Sequence, residues 1–119
     1  NVDSLQAAID VLQGYDAFRI LLVGDMKELG ENSLKCHRQV GEHAKQAKLD
    51  LVLSYGTESA VISEAVLGKH FTDKAELTAY ALDIIKQKLQ ENQKVVVLAK
   101  GSRSMKMEET IYSLKDSLC

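Results

Sequence analysis

The chain has 119 residues, enough for one domain with one sizeable core, and its 45% hydrophobic and 27% charged content is ordinary for a globular protein. A formal net charge of −2, with no basic stripe and no aromatic platform, argues against a nucleic-acid partner. No apolar run is long enough for a membrane span and no signal peptide opens the chain, so neither membrane insertion nor export is expected.

Cys36 and Cys119 lie in neither a CxxC nor a Cys/His metal pattern, which fits two reduced thiols in a cytoplasmic protein. His37 and His43 are six residues apart, not at the four-residue spacing that stacks two ligands on a helix face. With His70 alone, structural or solvated roles are expected for all three, and no metal site. The sequence opens on Asn1 with a helix pattern almost at once, so it reads as a piece of a larger protein.

A first helix is expected from a cap at Asp3 or Ser4 to about Gln13, with Leu5, Ala8, Ile9 and Leu12 on one face and Gly14 after its end. Ile20-Leu21-Leu22-Val23 is a short continuous apolar run that fits a strand buried on both faces. The glycine-bracketed, acid-rich loop Gly24-Asp25-Met26-Lys27-Glu28-Leu29-Gly30-Glu31 follows. Ser33 is placed to cap a second helix to about Lys48, whose inward face is His37, Val40, Gly41, Ala44 and Ala47. Leu51–Tyr55 reads as the second strand, and Thr57 as the cap of a third helix to about Leu67, stopped by Gly68. His70-Phe71 is a short third strand. Asp73 caps a long fourth helix with Leu77, Ala81, Ile84, Ile85 and Leu89 as its apolar face. Lys94–Ala99 is the fourth clear strand, and a fifth helix is expected from about Ser104 to Leu118.

Alternating helices and strands, with strands that read as unbroken apolar runs, imply an α/β fold: a three-layer, Rossmann-like domain over residues 1–119 with a mostly parallel sheet and helices on both faces. Right-handed crossovers favour the strand order 3-2-1-4. In that order the first and last strands are neighbours. The winding reverses between them, and open α/β sheets bind ligands at such a reversal, beyond the strand C-termini.

The loop leaving the last strand is Lys100-Gly101-Ser102-Arg103-Ser104-Met105-Lys106-Met107-Glu108. Gly101 frees the backbone, Ser102 and Ser104 can cap N–H groups at a helix start, and Lys100 and Arg103 add two cations. Such a loop can hold phosphate or carboxylate, although a plain strand-to-helix turn with solvated charges would carry the same residues. Facing the acid-rich loop, it could hold a zwitterion, with Asp25, Glu28 or Glu31 on the ammonium group and Lys100 or Arg103 on the carboxylate. Met105 and Met107 read as core rather than ligand contacts. There is no G-x-x-x-x-G-K-[ST], no G-x-G-x-x-G and no G-x-S-x-G. A receiver-like reading lacks an acid after the second strand, where Ser54-Tyr55-Gly56 stands.

Three motifs in order, Gly24-Asp25-Met26-x-Glu28-Leu29-Gly30-Glu31, His37-x-x-Val40-Gly41 and Lys100-Gly101-Ser102-Arg103-Ser104-Met105-x-Met107-Glu108, resemble the C-terminal domain of the Mur ligase family, closest to its D-alanyl-D-alanine-adding branch. The opening Asn1-Val2-Asp3-Ser4-Leu5 is similar to that family's interdomain Asn-Pro-x-Ser-Met segment, with Val2 and Leu5 as mild departures. The resemblance covers the whole chain. It implies the third domain of a three-domain ligase of peptidoglycan synthesis, whose UDP-substrate and ATP-binding domains lie outside this sequence. That enzyme adds D-alanyl-D-alanine to UDP-N-acetylmuramoyl-tripeptide through an acyl phosphate. ATP and magnesium are held mainly by the central domain, and this segment alone is inactive, with no catalytic residue of its own. Lys100, Gly101, Ser102 and Arg103 are implied to bind the incoming dipeptide, with Asp25 and Met26 on the facing wall and Asn1 and Ser4 close to the nucleotide. The alternative is a stand-alone anion- or zwitterion-binding module without catalysis.

Overall fold

A computed structural model describes residues 1–119. Its elements are α1 (Val2–Gln13), β1 (Phe18–Gly24), α2 (Ser33–Ala47), β2 (Leu51–Tyr55), α3 (Ala60–Ala65), β3 (Lys69–Phe71), α4 (Lys74–Gln90), β4 (Val95–Lys100) and α5 (Glu108–Leu118), with short 3-10 turns at Gly30–Asn32 and Arg103–Met105. The strands form one parallel sheet in the order β3-β2-β1-β4, as the crossover argument requires. Register pairs Val23 of β1 with Ser54 of β2 and with Lys100 of β4. The C-terminal ends of β1 and β4 therefore open side by side.

Strand alternation divides the core between the two sheet faces. Leu21 and Val23 of β1 pack with Leu5, Ile9 and Leu12 of α1, Val40, Ala44 and Ala47 of α2, and Ile62 of α3. Ile20 and Leu22 pack on the other face with Leu77, Ala81 and Ile85 of α4, Leu114 of α5, and Met105 and Met107. Gly41 lets α2 lie close to α3, since a Cβ there would meet the Val61 carbonyl at 3.2 Å. Below the sheet, Arg19 ties three segments together. Its Nε donates to Asp50 at 3.1 Å, and its terminal nitrogens donate to the carbonyls of Gln13 and Lys48 at 3.0 Å each, satisfying acceptors where α1 and α2 end.

Several local expectations are corrected. The cap of α1 is Asn1, whose side-chain oxygen accepts the Ser4 N–H at 2.8 Å, so the helix begins before Asp3. Ser33 is the first residue of α2 rather than its cap, and its hydroxyl donates to Glu58 at 2.7 Å. α3 is much shorter than expected. Its leading residues Thr57 and Ser59 give their N–H groups to Asp25, and Leu67 turns left-handed at φ 57°. On α4 the half-buried Leu82 packs against the core, while Leu89 is exposed. α5 begins at Glu108, not Ser104, because Met105 and Met107 both enter the core. Two buried residues two apart do not share a helix face. Lys106, at φ 49°, breaks the backbone between them.

Asp73 does cap α4, accepting the N–H groups of Ala75 and Glu76 at 2.8 and 3.4 Å. Asp73→Ala is expected to cost about 1 kcal/mol and to lower Tm by several degrees, a loss that a thermal melt will read.

Candidate functional site

The site is built where two glycines let two loops touch. A Cβ on Gly101 would stand 3.1 Å from the Cα and N of Gly24, and one on Gly24 would meet Met105 and Met107 at 3.1 Å. The loops after β1 and β4 thus meet backbone to backbone. Two hydrogen bonds fasten them: the Ser102 N–H donates to the Asp25 carbonyl at 3.0 Å, and the Lys27 N–H donates to Ser102 Oγ at 2.6 Å. Neither Ser102 nor Ser104 caps α5. Arg103 lies in a separate 3-10 turn, so the cations of this loop do not sit on a helix terminus.

Asp25 is the hub beneath the surface. Its side chain is 1% exposed, so its carboxylate is not open to a ligand's ammonium group as the sequence suggested. Its Oδ2 accepts from the Thr57 N–H at 3.0 Å and the Thr57 hydroxyl at 3.2 Å, and its Oδ1 accepts the Ser59 N–H at 2.8 Å. The Lys27 ammonium is 3.4 Å from Oδ2. Burial alone would raise the Asp25 carboxyl, but the N–H groups of Thr57 and Ser59 outweigh it and hold the group well below the usual carboxylate range. Gly56 makes room for this carboxylate: its φ is +122°, and a Cβ there would fall 2.5 Å from Oδ1. Thr57, Ser59 and Lys27 are residues the sequence reading missed as part of the site. Their one visible signal was a pair of hydroxyl residues just past β2.

Above the hub, Lys100, Gly101, Ser102 and Arg103 shape an open depression of about 290 Å³ with Ala99, Met107 and Glu108. Neither Lys100 nor Arg103 takes part in any ion pair within the chain. A second, small cavity of about 30 Å³ adjoins it, lined by Asn1, Ser4, Leu5, Met26, Lys100 and Gly101. So the predicted residues Lys100 to Arg103 do converge, and Asn1, Ser4 and Met26 meet them at one edge. Met26 is otherwise core, 3% exposed. Glu28 and Glu31 stay on the exposed loop surface.

A larger groove of about 680 Å³ lies between α4 and α5, and neither Lys100 nor Arg103 lines it. Its cation, Lys74, is already held by Glu109 at 2.9 Å and by the Lys106 carbonyl at 3.2 Å, and the Lys74 hydrogen bond holds the Glu109 carboxyl below its ordinary value. The unpaired cations, rather than the larger volume, mark the candidate site. No group of three or more His, Cys, Asp or Glu side chains converges to hold a metal, and no helix is long and apolar enough to cross a membrane.

Comparison with known proteins agrees with this fold. A UDP-N-acetylmuramoyl-tripeptide–D-alanyl-D-alanine ligase of Haemophilus influenzae is 70% identical over 118 residues, covering 99% of this chain and 26% of that protein. The Escherichia coli ligase of the same name is 46% identical over 98% of this chain and 25% of its own length. The chain thus spans about a quarter of these relatives. A crystal structure of MurF from Acinetobacter baumannii superposes with a TM-score of 0.87 at 26% identity, covering 98% of this chain and 25% of that one. The family described as Mur ligase, glutamate ligase domain, matches residues 1–103, and with these relatives in agreement, the chain belongs to the Mur ligase family.

Proposed function

We propose that residues 1–119 form the substrate-binding, closing domain of an ATP-dependent ligase. This cytoplasmic enzyme joins D-alanyl-D-alanine to UDP-N-acetylmuramoyl-tripeptide in peptidoglycan synthesis. The observation that carries this reading is the pair of unpaired cations, Lys100 and Arg103, around the depression at the end of β4. Relatives at 70% and 46% identity bear the name of that ligase.

The chemistry assigned to the loop follows from its hydrogen bonds. Ser102 Oγ accepts from the Lys27 N–H, which leaves its own proton free to donate to a carboxylate. Arg103 can add a forked, charge-assisted pair of bonds, and Lys100 a point charge. Together they suit the C-terminal carboxylate of the dipeptide. Holding that end aims the amine at the acyl carbon of the phosphorylated tripeptide. The amine attacks, the C–O bond to phosphate breaks, the nitrogen loses a proton, and phosphate leaves as the amide forms. Docking of this face on the rest of the enzyme excludes water, which would otherwise hydrolyse the acyl phosphate.

ATP supplies the phosphoryl group. We assign ATP and magnesium mainly to the part of the ligase outside residues 1–119, in keeping with the lack of a G-x-x-x-x-G-K-[ST] motif in this chain. Asn1 and Ser4, at the edge of the site, are the residues here assigned to lie near the nucleotide.

In the full-length ligase, phosphate release is expected to require both the UDP-tripeptide and D-alanyl-D-alanine, and residues 1–119 alone should release none. A full-length enzyme whose phosphate release ignores the dipeptide would refute the assignment.

A further inference from the structure

We infer that His37, buried in α2 and outside the binding depression, is a positioning residue that sets the Asp25–Lys27 loop and, through it, the dipeptide loop. This rests on the ligase reading given above. His37 is 0% exposed, and both ring nitrogens are spoken for. Nδ1 lies 2.8 Å from the Ser33 carbonyl, which can only accept, so Nδ1 carries the proton. Nε2 therefore presents a lone pair, and it accepts the Met26 N–H at 3.0 Å.

Three consecutive residues are thus pinned from three sides. The Asp25 carboxylate is held by Thr57 and Ser59, the Met26 N–H by His37, and the Lys27 N–H by Ser102. A polar circuit joins the same groups again. Ser33 Oγ donates to Glu58 at 2.7 Å, Glu58 lies 4.0 Å from Lys27 Nζ, and Lys27 Nζ lies 3.4 Å from Asp25. Met26 is the link to the site, because it lines the small cavity with Lys100 and Gly101. Losing the Nε2 acceptor frees the middle residue of the loop. Lys27 and Ser102 can then drift together, and the carboxylate-binding depression loses its shape.

Two amide substitutions separate the two hydrogen bonds. In His37→Asn the amide reaches the place of Nδ1 and can still serve the Ser33 carbonyl, but it is too short for Met26. In His37→Gln the amide oxygen reaches the place of Nε2 and can accept the Met26 N–H. In the full-length ligase, His37→Asn is expected to lower kcat/KM for D-alanyl-D-alanine five- to tenfold, with KM for ATP within twofold. His37→Gln should stay within twofold of the unmodified enzyme. Equal activity in all three proteins overturns the inference while leaving the ligase reading intact, and so does an equal loss in both variants. If His37→Asn does not fold, His37→Gln decides alone: an unmodified rate supports the inference and a fivefold loss overturns it. If the unmodified enzyme shows no dipeptide-dependent phosphate release, the ligase reading falls and this inference falls with it.

Discussion

Replacing Arg103 by alanine in the full-length ligase is expected to lower kcat/KM for D-alanyl-D-alanine by ten- to a hundredfold, about 1.4–2.7 kcal/mol of transition-state stabilisation. The fold should be untouched. Arg103 is exposed, lies in a 3-10 turn rather than in a helix, and forms no ion pair or side-chain hydrogen bond that its loss would break. Arg103 lines the depression shared with Lys100 and Ser102. Arg103→Lys should recover only part of the activity, because an ammonium supplies charge without the planar fork that a carboxylate fits. Phosphate release at saturating ATP and UDP-tripeptide, with dipeptide varied, measures the effect, and a thermal melt checks the fold. Unchanged rate and unchanged KM for the dipeptide would remove Arg103 from the site.

What the sequence disclosed and what it concealed follow the range of the interactions involved. β2 appears as read, Leu51–Tyr55, because a bounded apolar run is a local signal. The strand order followed from crossover handedness, and it put the Asp25 loop beside the Lys100 loop before any contact was known. The buried face of α2, from His37 to Ala47, was equally plain from its spacing. The hidden features are long-range. Thr57 looks like a helix cap in its own neighbourhood, yet its N–H serves a carboxylate 32 residues away. Ser102 looks like a cap for α5, yet it binds the backbone of Lys27, 75 residues away. Asp25 looks like a free acid in an acidic loop, and only the fold shows that it is buried and fully engaged. The late start of α5 has a local trace, two methionines at a spacing that a helix cannot bury on one face, which apolar periodicity over the longer window hides.

Asp25→Ala is expected to be among the most destabilising single substitutions near the site, costing about 3 kcal/mol and lowering Tm by roughly 10 °C. The cause is the set of donors left behind. The N–H groups of Thr57 and Ser59 point at the carboxylate, and Ser59 is fully buried, so water cannot replace the lost acceptor. Asp25→Asn keeps one acceptor oxygen but turns an NH₂ toward the remaining donors, for a loss of about 2 kcal/mol. The same substitution isolates a pH effect. The folded carboxyl is held below its unfolded value, about 3.9. Its contribution is therefore complete above that value and drains away as pH falls below about 4 toward the depressed folded value. Asp25→Asn has no carboxyl to protonate, so the gap between it and the unmodified protein should be widest near neutrality and narrow between pH 4 and 2. Urea melts of residues 1–119 at neutral and acid pH measure that gap. If the gap stays constant as the pH falls, the carboxylate is not held low, and the stabilising role of the Thr57 and Ser59 donors is refuted. If it narrows, the charge at Asp25 is what fixes the β2–α3 loop. Through its carbonyl bond to the Ser102 N–H, the same residue then couples the stability of the domain to the geometry of the Lys100–Arg103 loop.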